Sequence, residues 1–253
     1  MKLWAATTAL LFSSSVAAAP PSDIAKRDIE RRQQSATLQY WAGAVQFGQA
    51  ITEVHGSFNV PRVSLPPNAE RGKTYSGSAW VGIDDAQTCS EQILQAGIDW
   101  RINENGVQYY AWYQWWPARS GYWHVAIHPG DQIDIRVVAY SSTSGKVWWT
   151  NKSTGQSRSH SFQNEAPLCQ GTAEWIVEDF ILNGRVPMAA FTDVQFHGAS
   201  YKHQGGRKDG LDGSTVVNMV QQEGVIVESQ LTGPNSASCH YVGGQGGGQG
   251  QGV

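Results

Sequence analysis

The chain has 253 residues, of which 40% are hydrophobic, 11% are aromatic and only 15% are charged. Its formal net charge is −3, and removal of residues 1–32, which contain five basic and three acidic side chains, lowers it to about −5. This balance argues against nucleic acid as a partner and against a basic membrane-binding surface.

The N-terminal segment has the pattern of an export signal. Lys2 precedes the apolar run LWAATTALLF, and the small residues of SSSVAAAP follow, which predicts a signal peptide over residues 1–19. Residues 20–32 are polar and contain two dibasic pairs, typical of a pro-segment, although an uncleaved disordered arm has the same composition. No later apolar run is long enough to span a membrane. We therefore expect a secreted, extracellular protein.

The remaining chain has the pattern of an all-β domain. It is rich in glycine and tryptophan, and short alternating segments are bounded by Gly, Ser, Asn and Pro. We expect one sandwich or barrel over residues 33–242. Residues 243–253 are a Gly/Gln-rich tail, which we expect to be disordered.

Two neighbouring segments alternate between an apolar and a polar face. In GSAWVGID the apolar set is Ala79, Val81 and Ile83, and the other face carries Ser78, Trp80, Gly82 and Asp84, which predicts an exposed indole. In QILQAGIDW the apolar set is Leu94, Ala96, Ile98 and Trp100. Gln95 and Asp99 lie on the opposite face, beside a glycine where a ligand or backbone has room to approach.

The segment VQYYAWYQWWP is aromatic on both faces. One face carries Gln108, Tyr110, Trp112, Gln114 and Trp116, and the other includes Tyr109, Tyr113 and Trp115. If one face is core, the other exposes a stripe of rings that suits an extended polymer, either peptide or glycan. A strand buried on both faces is the alternative.

Two carboxylates share one face of AEWIVEDF. Alternation places Glu174, Ile176 and Glu178 together, although glutamate is depleted in strands and costly to bury without a partner. The segment is therefore either a solvent-facing strand or a strand that carries reacting groups into a cleft.

Several classes of enzyme site are missing from the sequence. It contains no G-x-S-x-G, H-E-x-x-H, D-T-G, D-S-G or P-loop motif, and no credible zinc-ligand spacing. We therefore expect no metal and no cofactor. Of Cys89, Cys169 and Cys239, two are expected to be oxidised, and spacing leaves all three pairings open. The single sequon, at Asn151, predicts a surface glycan.

Together the segments resemble one family, the fungal glutamic peptidases or eqolisins. The resemblance covers roughly residues 36–242 and is carried by YWAG, SAWVGIDDAQTCSEQILQAGIDW, YYAWYQWWP, PGDQIDI, PLCQGTAEWIVEDF and SCHYV, in that order and spacing. It implies a concanavalin A-like β-sandwich of two large antiparallel sheets. It also implies a secreted acid endopeptidase whose catalytic pair is Gln95 and Glu178, with a disulfide between Cys89 and Cys169.

The implied chemistry is physically coherent. An ionised Glu178 takes a proton from water and passes it to the leaving amine, while the Gln95 amide stabilises the oxyanion and its carbonyl helps to hold the water. A free glutamate titrates near about 4.3, so such a base keeps working in acid.

Six further positions match the family's cleft. Trp80, Asp84 and Asp99 lie around it, and Trp112, Gln114 and Trp116 line the substrate-binding side. Core packing is the alternative for the tryptophans, and turn capping for the two aspartates. Gln114 and Trp116 stand where the family usually has glutamate and tyrosine, which leaves subsite preference and pH optimum open.

The resemblance implies protein and peptide substrates, no nucleic acid or membrane partner, and a monomer. Two other functions compete with it. One is a glycan-active or glycan-binding sandwich that uses Glu174 and Glu178, but residues four apart on a strand lie about 13 Å apart, too far for a retaining pair. The other is an inactive peptide-binding relative, supported only by Gln114.

Overall fold

The computed structural model describes residues 34–84, 86, 91–180, 186–222 and 224–243, and these residues form strands and turns without a helix. The predicted signal peptide, the pro-segment and all but the first residue of the predicted tail lie outside the described residues. No helix in the described part of the chain is able to cross a membrane.

The strands follow one another closely along the chain. In order they are β1 (Gln34–Leu38), β2 (Trp41–Phe47), β3 (Ile51–Asn59), β4 (Val63–Ser64), β5 (Tyr75–Ile83), β6 (Ile93–Asn103), β7 (Gly106–Trp116), β8 (Gly121–Trp123), β9 (Gln132–Ser141), β10 (Ser144–Asn151), β11 (Gln156–Gln163), β12 (Thr172–Glu178), β13 (Ala190–Phe191), β14 (Val194–His203), β15 (Lys208–Asp209), β16 (Thr215–Gln221), β17 (Gly224–Gly233) and β18 (Ser236–Tyr241).

Most strands belong to one strongly curved sheet. Its order is β11-β10-β9-β3-β14-β18-β17-β16-β2-β12-β5-β6-β7-β8, and neighbours in this order are antiparallel, while β1 lies parallel to β16. The sheet folds back so that β3 and β9 face β5 and β6 across the core. The predicted all-β sandwich is therefore confirmed.

The two layers are continuous with each other rather than separate. Strands β18, β17 and β16 carry the hydrogen-bonded path from one layer to the other. The pairing register shifts between Met219 and Val220 and again between Leu231 and Gly233. Such irregularities bend strands and allow a twisted sheet to turn a corner.

The main core lies between the layers and takes one face of β5, β6, β7 and β12. The residues predicted for it from alternation are all buried there, and the largest fully buried side chains include Trp100, Trp115, Trp149 and Trp175. A tryptophan buries a large apolar area, so these indoles fix the spacing of the layers. Because side chains alternate along a strand, the opposite face of the same four strands is free to carry polar groups.

Candidate active site

A cleft of about 420 Å³ opens on the face of β5, β6, β7 and β12 that points away from the main core. Six residues predicted from the sequence line it: Gln95, Asp99, Trp112, Gln114, Trp116 and Glu178. The strand order β12-β5-β6-β7 therefore brings to one cavity the segments QILQAGIDW and AEWIVEDF, which carry Gln95 and Glu178.

The pairing register explains which groups meet in the cleft. Glu178 lies opposite Ser78, and Ser78 lies opposite Asp99, so the two acids face each other across one strand. Two strand spacings amount to about 10 Å between their backbones, which long side chains partly close. Gln95 lies opposite Gln114, nearer the other end of β6.

Glu178 is held by tryptophans. The indole nitrogen Nε1 of Trp80 donates a 2.7 Å hydrogen bond to Glu178 Oε2, and the ring of Trp41 packs edge-on against Trp80 at 5.1 Å. Burial raises the pKa of the Glu178 carboxyl to about 7, and the charge of Asp99 also raises it, while hydrogen bonds from Trp80 and Trp41 act in the opposite direction.

Asp99 is the second buried acid of the cleft. Burial raises the pKa of its carboxyl to about 7, against the lowering effect of hydrogen bonds and of the Arg101 charge. Tyr122 donates to Asp99 Oδ2 at 3.4 Å, and the Arg101 guanidinium lies 3.8 Å from the same oxygen. The pair formed by Asp99 and Glu178 therefore still holds protons in the pH range where ordinary carboxyls are already ionised.

The direction of the Gln95 amide is set by a short chain of hydrogen bonds. Gln95 Nε2 donates to Gln114 Oε1 at 3.0 Å, and Gln114 Nε2 donates to the backbone oxygen of Ala118 at 2.8 Å. A backbone carbonyl only accepts, so the orientation of Gln114 and hence that of Gln95 are both fixed. The Gln95 carbonyl oxygen is buried and has no hydrogen-bond partner in the described part of the chain.

The aromatic stripe of β7 forms one wall of the cleft. Trp116 is 45% exposed at the rim, whereas Trp112 is buried in a small second cluster with Trp80 and Ile176. Gly97 allows this packing, since a Cβ there would lie 2.6 Å from Trp80 Cβ and 3.0 Å from Trp112 Cζ2. The space beside Gly97 is thus filled by the two indoles rather than left for a ligand.

The predicted exposure of Trp80 is wrong. Its side chain is fully buried beneath the cleft floor, because it packs against Trp41 and reaches Glu178. Trp80 is not among the described residues that line the cavity, so it acts on the site through its contact with Glu178 and not through contact with solvent.

Asp84 lies apart from the cleft. It is fully buried at a φ of 77°, and its carboxylate accepts backbone hydrogen bonds from Gln170, Gly171 and Thr172 at 2.7 to 3.3 Å. This geometry matches the turn-capping alternative, and it ties the end of β5 to the start of β12.

Glu174 is fully buried on β12, so the solvent-facing interpretation of that strand is wrong. Glu178 lines the described part of the cleft, whereas Glu174 does not. The glycan hypothesis that pairs these two glutamates therefore receives no support from the structure.

The sequence analysis did not assign six of the residues that line the cavity: Trp41, Ser78, Ile93, Ser120, Tyr122 and Phe180. Trp41 and Tyr122 come from β2 and β8, which flank the four alternating strands, and only the long-range strand order reveals them. Ser78 was placed on the correct face, but its position between the two acids depends on register.

The cysteines and the sequon have mixed outcomes. Cys169 is disulfide-bonded, Cys239 is a buried free thiol, and Cys89 lies outside the described residues. Asn151 is fully buried, and its amide nitrogen donates to Asp131 at 2.7 Å. The predicted surface glycan at Asn151 is therefore wrong for this fold. Within the described ranges, no three His, Cys, Asp or Glu side chains converge as metal ligands.

Comparison with known proteins identifies the class. The model of the Peptidase A4 family matches residues 39–241. Aspergillopepsin-2 of Aspergillus niger is 37% identical over 220 residues, which cover 80% of this chain and 77% of the relative. Scytalidopepsin B of Scytalidium lignicola is 33% identical over 267 residues, covering 94% and 98%.

Solved structures agree with the sequence matches. The crystal structure of scytalido-glutamic peptidase with a transition state analog inhibitor superposes with a TM-score of 0.72 at 36% identity, covering 81% of this chain and 98% of that one. The chain belongs to the Peptidase A4 family, and it is a peptide hydrolase of the glutamic peptidase kind.

Proposed function

We propose that this protein is a secreted acid endopeptidase that uses Glu178 and Gln95 as its catalytic pair. The observation that carries the proposal is that both side chains line one cleft, on strands distant in sequence, in a chain of the Peptidase A4 family. Export rests on the N-terminal signal pattern.

Glu178 acts as the general base. In its ionised form it removes a proton from a water molecule in the cleft, and the protonated carboxyl then donates that proton to the departing amine. The Trp80 indole donates to Oε2 at 2.7 Å, which keeps the carboxylate in one orientation. A rigidly held base loses little entropy on reaching the transition state.

Gln95 acts as the oxyanion donor. One of its two amide N–H bonds is engaged by Gln114, and the other is available for the developing negative oxygen. Its carbonyl oxygen has no contact with solvent, so we propose only N–H donation and not the additional water-holding role expected from the sequence.

The two acids together set the pH range. Because the charge of Asp99 contributes to the raised pKa of Glu178, the pair loses its first proton at a lower pH than its second. The active form carries one proton, with Glu178 ionised and Asp99 neutral, since a second anion would oppose the oxyanion. Activity is therefore proposed between the two proton losses of the pair, in weak acid near and below the pKa of about 7 that burial gives each carboxyl, and it declines in stronger acid as Glu178 becomes protonated.

The cleft suits an extended peptide. It lies on an open sheet face, and Trp116 at the rim offers apolar surface for a substrate side chain. A related glutamic peptidase has been crystallised with a transition state analog inhibitor. We propose protein and peptide substrates on this basis.

Hydrolysis of a denatured protein from about pH 2 to pH 8 tests the proposal. The processed wild type is compared with Glu178→Gln and Gln95→Ala, and thermal unfolding confirms that each variant folds. We expect activity in acid and its loss in both variants. Full activity in either folded variant would remove that residue from the catalytic pair, and hydrolysis of glucans or xylans instead would favour the glycan hypothesis.

A further inference from the structure

A second cavity continues the cleft along the same sheet face. Its volume is about 370 Å³, and its described lining includes Arg101, Asn103, Gln108 and Tyr110. Arg101 follows Asp99 by two residues on β6 and shares its face, while Tyr110 lies directly opposite Asp99 on β7. The rings of Tyr110 and Tyr122 pack edge-on at 6.2 Å between the two cavities. We call this second cavity the Arg101 pocket.

The guanidinium of Arg101 is held in place, but not all of its hydrogen-bond donors have a partner among the described residues. Its carbon Cζ lies 4.9 Å from the centre of the Tyr110 ring, and its side chain is 29% exposed. Its Nε atom is buried and has no hydrogen-bond partner among the described residues. Stacking on an aromatic ring pre-organises a guanidinium for a planar acceptor.

Among its described lining residues, the Arg101 pocket has one charged side chain, that of Arg101. The other described lining residues are uncharged and include the amides of Asn103, Asn105 and Gln108. The nearest acid is Asp99 at 3.8 Å, and burial keeps that carboxyl neutral over much of the acid range, because its pKa is raised to about 7. The positive charge of Arg101 is then left without an ionised partner.

We propose that the Arg101 pocket is a subsite that binds a carboxylate of the peptide substrate, with Arg101 as its specificity-determining residue. A guanidinium fork matches a carboxylate with two parallel hydrogen bonds, and the surrounding amides add donors. This inference rests on the proposed peptidase function, for which it names the preferred substrate class.

The position of the pocket defines which substrate residue it contacts. Arg101 lies about 7 Å along β6 from Asp99 and about 20 Å from Gln95, at about 3.4 Å per residue. An extended peptide has a similar rise, so the bound carboxylate lies at least two residues from the cleaved bond. The carboxylate is provided either by an acidic side chain or by the C-terminus of a short peptide.

Peptides that differ only by Glu or Gln at one position test the proposal. The substitution is moved through the four positions on each side of the cleaved bond, and each peptide is made with a free or an amidated C-terminus. At about pH 5.5, where a free glutamate is ionised, we expect a Glu/Gln ratio of kcat/KM of about ten at one position. A preference for free over amidated C-termini without a Glu/Gln preference would identify the terminal carboxylate as the ligand.

Variants of Arg101 make the test specific. Arg101→Met keeps an apolar contact with Tyr110 and is expected to bring the ratio to about one, whereas Arg101→Lys retains part of it. Arg158→Met removes an exposed arginine from β11, outside the cleft, and is expected to retain the full ratio. Because the Glu and Gln peptides are compared within the same variant, any effect of the Arg101 substitution on the Asp99 carboxyl is the same for both peptides and cancels from the ratio. Below about pH 4 the ratio should also fall, because the substrate glutamate becomes protonated.

Binding separates this inference from the peptidase proposal. The same peptides are titrated onto Glu178→Gln, with tryptophan fluorescence as the readout, so the preference is measured without hydrolysis. Equal binding and cleavage of Glu and Gln peptides at every position, together with equal binding and cleavage of free and amidated C-termini, would overturn the subsite, as would a preference that survives in Arg101→Met. Absence of hydrolysis with a preserved binding preference would refute the peptidase proposal and leave the subsite standing.

Discussion

The Trp80 indole and the Glu178 carboxylate are joined by a 2.7 Å hydrogen bond between neighbouring strands β5 and β12. Trp80 lies opposite Ile176, so its side chain reaches along the sheet by two residues to make this contact. The indole is fully buried, and it places a donor where burial would otherwise leave the carboxylate poorly solvated. Trp80 is therefore part of the environment that sets the pKa of Glu178.

Replacement of Trp80 by phenylalanine keeps most of the packing and removes the donor. The pKa of Glu178 is expected to rise further, because burial raises it and the Trp80 hydrogen bond lowers it. The acid limb of the kcat/KM profile should move to higher pH, and kcat/KM in acid should fall about tenfold, as for loss of one charged hydrogen bond. Trp148→Phe, on β10 outside the cleft, is the control. An unchanged acid limb would show that the indole does not tune the carboxyl.

Asp99→Asn tests the coupling between the two acids. The Asp99 charge raises the pKa of Glu178 only where Asp99 is ionised, which in the proposed scheme is on the neutral side of the profile. The acid limb should therefore stay nearly in place, since Asp99 is neutral there, and the decline of activity toward neutral pH should weaken, because the pair no longer has a second proton to lose. A full pH profile of kcat/KM measures both limbs. Asp193→Asn, at an exposed site beside His240, should change neither.

Gln114 is predicted to position Gln95 rather than to contact the reacting atoms. In Gln114→Leu the Gln95 amide loses its acceptor and is free to rotate, so kcat should fall about tenfold with KM little changed. Steady-state kinetics separates the two constants. An increase in KM at constant kcat would instead indicate a role in substrate binding.

Gln114→Glu makes the same position titratable. Protonated, the new carboxyl donates to the Ala118 oxygen and accepts from Gln95, as the native amide does. Ionised, it repels that carbonyl oxygen and loses the donor. The variant should therefore be nearly as active as wild type at low pH and lose activity as pH rises, measured as the variant-to-wild-type ratio. A ratio that is constant with pH would contradict this positioning role.

Alternation correctly assigned the faces of β5, β6, β7 and β12 because side-chain direction is a local property of a strand. The placement of Gln95 and Glu178 away from the main core followed from it. Their presence in one cleft did not, since that depends on the order β12-β5-β6-β7, which only the family resemblance supplied in advance.

Burial on the polar face was harder to foresee. Trp80 was expected at the surface, and one of the two interpretations of AEWIVEDF placed Glu174 there, yet both are buried, and Trp80 belongs to the second apolar cluster with Trp112 and Ile176. The same burial alters the chemistry: a free glutamate titrates near about 4.3, whereas burial raises the pKa of Glu178 to about 7. A sequence pattern does not specify how many layers lie over a face, and so it did not predict this shift.

A polar cluster on the other layer favours stability in acid. Asp134 accepts hydrogen bonds from Ser57 at 2.6 Å and Lys152 at 2.8 Å, and His55 Nε2 lies 3.0 Å from the same carboxylate. Burial alone would raise the pKa of Asp134, but these three partners outweigh it and hold the pKa well below its usual range. The hydrogen bond with Asp134 raises the pKa of His55 above its ordinary value.

The two shifts give opposite pH dependences, which define a window. The lowered pKa of Asp134 adds stability above about pH 4, and this is lost as pH falls toward the folded pKa. The raised pKa of His55 adds stability below about pH 6.5, and this is lost as pH rises through the folded pKa. Asp134→Asn should therefore cost most between about pH 4 and 6.5, by about 1 to 2 kcal/mol, or a few degrees in Tm. Thermal unfolding at a series of pH values measures this difference. Asp212→Asn, at an exposed turn, is the control, and a cost for Asp134→Asn that is the same at about pH 2 as at pH 5 would contradict the linkage.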